Sequence, residues 1–151
     1  MTTLKKGDKA PDFKGVDQNG AAISLENFKG KKVVLYFYPK DNTPGCTAEA
    51  CSLRDNYEVL LDKGYVVLGV SPDGEKSHQK FIANYNLPFP LIADTDKVIA
   101  NAFGVWGPKK FMGRTYDGIH RTTFIIDEKG LIEEVIEKVD TKNHANQIIL
   151  D

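Results

Sequence analysis

The run Lys-Val-Val-Leu-Tyr-Phe-Tyr at residues 32–38 constrains the fold more than any other stretch of the chain. Every position after Lys32 is apolar or aromatic, with no alternation between water-loving and water-avoiding side chains. A strand that faces solvent on one side alternates with period two. A strand without alternation must be covered on both faces. Pro39 closes the run, because proline has no amide to continue a ladder. A second such run, Tyr-Val-Val-Leu-Gly-Val, occupies residues 65–70. The chain between them must therefore leave the sheet, cover one face and return.

That segment reads as a helix over residues 44–62. Thr43 and Pro44 have the order of an N-cap and a first-turn proline, and Gly64 supplies the stop. The remaining elements obey the same logic. Asn19-Gly20 joins 13–16 and 22–24 as a small hairpin. Ser71-Pro72-Asp73-Gly74 turns into a helix over 75–85, and residues 87–94 carry a third short strand at their end. A short helix is expected over 97–103, a Gly- and Lys-rich loop over 104–118, and strands over 122–127 and 131–139 joined at Glu128-Lys129-Gly130. A last helix begins near Thr141. Strands alternating with helices, then a hairpin and a helix, predict an α/β three-layer sandwich with a mixed central sheet. At 151 residues the chain suits one domain, spanning 1–151.

Charge and hydropathy exclude several functions. Twenty Lys and Arg stand against 21 Asp and Glu, a net charge of −1, so no basic surface is expected for nucleic acid. No apolar run approaches the length of a membrane span, and the first residues lack the apolar core of a secretory signal. The cytoplasm is the expected location, where a lasting structural disulfide is disfavoured.

Both cysteines of the chain, Cys46 and Cys51, fall in the segment Thr-Pro-Gly-Cys-Thr-Ala-Glu-Ala-Cys. On a helical wheel Cys46, Ala50, Leu53, Tyr57, Leu60 and Leu61 share the core stripe, while Thr47, Cys51, Arg54 and Glu58 share a mostly polar face. The step from 46 to 51 rises ~7.5 Å and turns ~140°, which puts the Cα atoms roughly 8.6 Å apart, beyond the ~7 Å reach of a disulfide. A bond between them would require the first turns to unwind. A metal set is not supported either, since His78, His120 and His144 are scattered without ligand spacing. Cys46 sits in the first turn, where free amides and the helix dipole favour an anion and hence a nucleophilic thiolate. In open α/β sheets, sites collect at the carboxyl ends of central strands, and residues 32–38 lead straight to Cys46.

Pro39, Thr43 and Cys46 together form P-x-x-x-T-x-x-C, which resembles the active-site motif of the peroxiredoxins. The longer run through Cys51 is similar to the bacterioferritin comigratory protein / peroxiredoxin Q branch. So are Ala-Pro-Asp-Phe at 10–13, residues 67–73, residues 89–94 and residues 118–127, in the same order. The resemblance implies a thioredoxin-like fold with an N-terminal hairpin extension, and a thiol-dependent peroxidase without cofactor or metal. It implies Cys46 as the peroxidatic cysteine and Cys51 as the resolving one. Thr43 would hydrogen-bond the peroxide, Pro39 would shield the sulfur, and Arg121 would be the catalytic arginine. The Gly45 and Cys46 amides would donate to the substrate. Glu49 reads as helix-stabilising, with Arg54 or Arg121 open to it as partners; Trp106 and Tyr116 read as packing. Expected partners are a hydroperoxide and thioredoxin, or a similar dithiol, for a monomer or weak dimer. A redox sensor that passes its disulfide to a partner would use the same two cysteines. A thioredoxin-type reductase is disfavoured, because the spacing is C-x₄-C rather than C-x-x-C.

Overall fold

The apolar run does lie at the centre of a sheet. The computed structural model describes residues 2–150. Two short strands, β1 (Lys14–Val16) and β2 (Ala22–Ser24), form the N-terminal hairpin. Strand β3 (Lys32–Phe37) then runs parallel to β4 (Tyr65–Ser71) and antiparallel to β8 (Thr122–Ile126). With β5 (Leu91–Ala93) and β9 (Ile132–Ile136) the sheet order is β5-β4-β3-β8-β9. Residues 33–38 are all buried. Val33, Leu35 and Phe37 pack on one face with Phe103 and Phe124, and Val34, Tyr36 and Tyr38 pack on the other with Cys46, Leu53 and Phe81. The lack of alternation in the sequence thus reflects two cores, one on each side of a single strand.

One face is covered by helices α1 (Pro44–Asp55), α2 (Tyr57–Asp62), α3 (Glu75–Tyr85) and α5 (His144–Ile149), through Leu53, Leu60, Phe81 and Ile148. The other is covered by the N-terminal segment and α4 (Val98–Ala102), through Phe13, Ile23, Leu25, Ile99 and Ala100. Among the described residues no helix is long and apolar enough to cross a membrane.

Three expectations are corrected. The single helix over 44–62 is broken at Asn56 (φ −115°, ψ 15°). There the Asn56 side-chain amide donates to Ser52 O at 2.9 Å, the carbonyl its own backbone N–H would otherwise take. Leu61, expected in the core stripe, is 44% exposed while Leu60 is buried. The second correction concerns 104–118. In place of a loop there are β6 (Trp106–Phe111) and β7 (Arg114–Ile119), paired in register from Trp106↔Ile119 to Phe111↔Arg114. Met112 (φ 52°) and Gly113 (φ 77°) make the tight turn, both in the left-handed region that such two-residue hairpins require. Strand β9 also ends sooner than expected, at Ile136.

Candidate active site

Strand β3 delivers the chain to the top of the sheet, and the five residues from Pro39 to Thr43 turn it into α1. The helix starts as expected: Thr43 has extended N-cap geometry (φ −91°, ψ 155°), Pro44 opens the first turn, and Thr47 N donates to Thr43 O at 2.8 Å. The amides of Gly45 and Cys46 precede that first bond, so both belong to the donors a helix start leaves over. The Thr43 side chain departs from the capping role. Its Oγ1 donates to Lys40 O at 2.8 Å and makes no bond to the helix. With its hydrogen committed, that oxygen is left as an acceptor.

Cys46 is 1% exposed and faces the core beside Ala50 and Leu53, as the wheel predicts. Arg121 lies between β7 and β8 and reaches across to it. Its Nη2 donates to Cys46 Sγ at 3.3 Å, and its Nη1 donates to Glu49 Oε1 at 2.6 Å. A charge-assisted pair of that length fixes the guanidinium plane and so fixes what Nη2 points at. Arg121 also passes close over Gly45: an ideal Cβ there would stand 3.3 Å from Nη2. Cys51 is half-buried on another face of the helix, and both thiols are free. Helix α1 is continuous from Pro44 to Asp55, so the geometric bar to a Cys46–Cys51 bond holds in this state. Pro39 is half-buried at the end of the apolar run.

Glu49 is the buried carboxyl of the site. Of the two partners open to it in the sequence, it takes Arg121. Burial pushes its carboxyl up to about 7, with the Arg121 charge and hydrogen bond pulling the other way. Burial pulls the Arg121 guanidinium down, and Glu49 and Cys46 together more than offset this, so its affinity for its proton rises. Oε2 of Glu49 has no hydrogen-bond partner among the described residues and lies 3.4 Å from His144 Nε2. That contact is not an ion pair. Gln147 Nε2 donates to Lys138 O at 3.0 Å, which leaves its Oε1, 2.7 Å from His144 Nδ1, as an acceptor. His144 therefore carries its hydrogen on Nδ1, and Nε2 accepts from Thr123 Oγ1 at 2.8 Å. Burial lowers the imidazole's proton affinity, in keeping with a neutral ring.

Sequence reasoning missed His144 and Lys109. Lys109, on β6, donates to Ile119 O at 2.8 Å. Burial first and then the Arg121 charge lower its proton affinity, while Cys46 acts to raise it, so it belongs to the same electrostatic cluster. No sequence signal marks it once 104–118 is taken as a loop. For Glu49 the signal was its place three residues after Cys46, on the inward side of the helix.

A cysteine at the start of the helix that leaves a central strand, with an arginine held against its sulfur, defines a thioredoxin-fold protein built for cysteine chemistry. Known proteins agree. The model of the AhpC/TSA family matches residues 6–135, and the chain belongs to that family. A Haemophilus influenzae relative is 51% identical over 149 residues, 99% of this chain and 96% of its own. The Escherichia coli protein named peroxiredoxin Bcp is 47% identical over 149 residues, again 99% and 96%. Among solved structures, peroxiredoxin Q of Xanthomonas campestris superimposes with a TM-score of 0.88 at 33% identity, covering 99% of this chain and 94% of that one.

Proposed function

We propose that Cys46 is the peroxide-attacking thiol of this thiol-dependent peroxidase, and that Cys51 resolves it. The observation that carries the assignment is the Arg121 Nη2 to Cys46 Sγ contact of 3.3 Å at the mouth of α1. The names of the relatives, peroxiredoxin Bcp and peroxiredoxin Q, support a hydroperoxide as substrate and a thiol as reductant.

The Cys46 thiolate attacks one oxygen of the hydroperoxide. An S–O bond forms, the O–O bond breaks, and the displaced alkoxide or hydroxide takes a proton and leaves as alcohol or water. Sulfur loses two electrons and the peroxide gains them. Thr43 Oγ1, its own hydrogen held by Lys40 O, accepts from the peroxide O–H. The amides of Gly45 and Cys46 and the guanidinium of Arg121 meet the charge that develops on the departing oxygen. Pro39 keeps water from the sulfur.

The sulfenic acid is then attacked by the Cys51 thiolate, forming the S–S bond and releasing hydroxide, which is protonated to water. Residues 44 to 52 must unwind for this step, since the wound helix holds the sulfurs on different faces. An external dithiol, thioredoxin, reduces the disulfide and lets the helix re-form. The chain acts as one domain over 1–151, monomeric or weakly dimeric, in the reducing cytoplasm.

The test is hydrogen-peroxide consumption coupled to thioredoxin and its reductase. Cys46→Ser abolishes it. Cys51→Ser leaves a single burst of oxidation and blocks steady turnover. Undiminished turnover by Cys46→Ser overturns the assignment, and slow wild-type turnover alongside rapid disulfide transfer to a partner protein favours a sensor instead.

A further inference from the structure

The segment from Pro39 to Thr43 carries the peroxide-binding groups, yet it has no regular structure of its own. One side chain in it is buried, and that side chain is an aspartate. Asp41 is 5% exposed, and three donors converge on its carboxylate. Tyr38 Oη donates to Oδ1 at 2.6 Å, Ser77 Oγ donates to Oδ2 at 2.8 Å, and His78 Nδ1 lies 2.7 Å from Oδ2. His78 is fully buried, and its other nitrogen, Nε2, lies 2.9 Å from Ile92 O. A carbonyl can only accept, so Nε2 carries a hydrogen. A further proton lies between Nδ1 and Oδ2, because two lone pairs cannot face each other at that distance. The pair thus holds its proton in common and is neutral as a unit, which is how a buried acid is tolerated.

The backbone is tied by the same region. Asp41 N donates to Asp73 Oδ2 at 2.7 Å, and Asp73 Oδ2 also accepts from Ser71 Oγ at 2.9 Å. Asn42, next in the chain, is held at φ 60°, a left-handed conformation that a free loop residue would leave. Asp41, Asp73 and His78 are close enough together to suggest a cation site. Hydrogen bonds already engage both Asp41 oxygens, Asp73 Oδ2 and both His78 nitrogens, so the trio is read as a latch and not a ligand set.

We infer that Asp41 and His78 are positioning residues for the peroxide-binding segment: the buried pair latches residues 39–43 to α3 and β5, and so sets where Thr43 stands relative to Cys46. This rests on the reading of Cys46 as the peroxide-attacking thiol. Among the described residues no hydrogen bond joins Asp41 or His78 to Cys46 or its Arg121–Glu49 pair, which are held from α1 and the β7–β8 junction. The latch therefore acts on the seating of peroxide and not on the nucleophile. It also lies before residue 44, so it gives the unwinding of α1 a fixed hinge.

Two rates on the same variants test this, in a Cys51→Ser background that leaves one thiol. The first is single-turnover oxidation of Cys46 by hydrogen peroxide; the second is its alkylation by iodoacetamide, which needs the thiolate but no peroxide seat. His78→Gln is expected to slow oxidation by at least about tenfold, as a displaced reactant or seat does, with alkylation within about twofold of the parent. Ser77→Ala removes one of the three donors and leaves the histidine in place, so its oxidation rate falls between the two. Unchanged oxidation in folded His78→Gln overturns the inference, as does an equal loss of both rates. If His78→Gln does not fold, Ser77→Ala decides by the same comparison. A parent protein that alkylates but does not react with peroxide would instead refute the peroxidase assignment of Cys46, and is told apart by that result.

Discussion

Glu49→Gln isolates the carboxyl whose ionisation burial opposes in the site. The Glu49 carboxyl is fully buried, with one oxygen on Arg121 at 2.6 Å and the other without a partner among the described residues. Its proton affinity rises from a value of 4.5 to about 7, chiefly through burial. Across that window the folded protein keeps a proton that the unfolded chain has released. The unfolded state binds fewer protons, so stability falls as pH rises. The stability this group contributes is complete below 4.5 and is lost as pH climbs through about 7. At 1.36 kcal/mol per unit of pKa, the difference amounts to roughly 3 kcal/mol. Glutamine matches the protonated acid in shape and does not titrate. Its oxygen accepts from Arg121 as Glu49 Oε1 does. The variant and the parent should therefore have similar stability below the window. Above it the variant should gain on the parent by roughly 3 kcal/mol. Urea unfolding of the reduced proteins at several pH values measures both curves. Parallel curves, with a constant difference from acid to neutral pH, would refute the claim that burial controls this carboxyl.

Other substitutions test the packing and the motion. At Gly69, in the middle of β4, an ideal Cβ would lie 2.6 Å from Leu91 Cδ2 and 2.9 Å from Tyr36 Cζ. Gly69→Ala should cost about 1–3 kcal/mol in urea unfolding, the usual range for overpacking; an unchanged midpoint would show that the neighbours can yield. Gly45→Ala adds a methyl 3.3 Å from Arg121 Nη2. It should raise helix stability by about 0.5–1 kcal/mol while lowering the peroxide rate, and a parallel rise in both would place the peroxide seat elsewhere. Amide exchange should show residues 47 to 52 protected in the reduced protein and open in the disulfide form. Equal, strong protection in both forms would exclude unwinding.

The sequence was most informative where burial left one solution. Residues 32–38 could satisfy their side chains only between two covers, and they lie there. Thr43 and Pro44 marked the start of α1 because cap and first-turn preferences are local. The break at Asn56 was not legible, because a side-chain amide competing with the backbone for Ser52 O looks in sequence like any polar helix residue. The hairpin from Trp106 to Ile119 was not legible because most of its residues face water on both sides, which removes the alternation that marks a strand. Arg121 was found through the family resemblance together with its place at the mouth of a buried strand. Its contact with Cys46 spans 75 positions of sequence, and no local pattern encodes such a distance.

The two halves of the site make opposite demands on α1. Wound, the helix seats Cys46 against Arg121 and buries Glu49, whose carboxyl then holds a proton up to about pH 7. In the proposed cycle the disulfide forms only after residues 44 to 52 leave that arrangement. Glu49 lies inside that segment, so the step that joins Cys46 to Cys51 also carries its carboxyl toward water, where the ordinary carboxylate value returns. The proton affinity that burial gives Glu49 therefore favours the wound, reduced helix at acid pH and weakens its hold as pH rises through about 7. Arg121 loses its Glu49 partner in the same movement, at the stage when the Cys46 thiolate is consumed. Reduction restores the thiolate, the carboxyl and the guanidinium to one another together, because the first turns of α1 carry both Cys46 and Glu49 back to Arg121 at the β7–β8 junction.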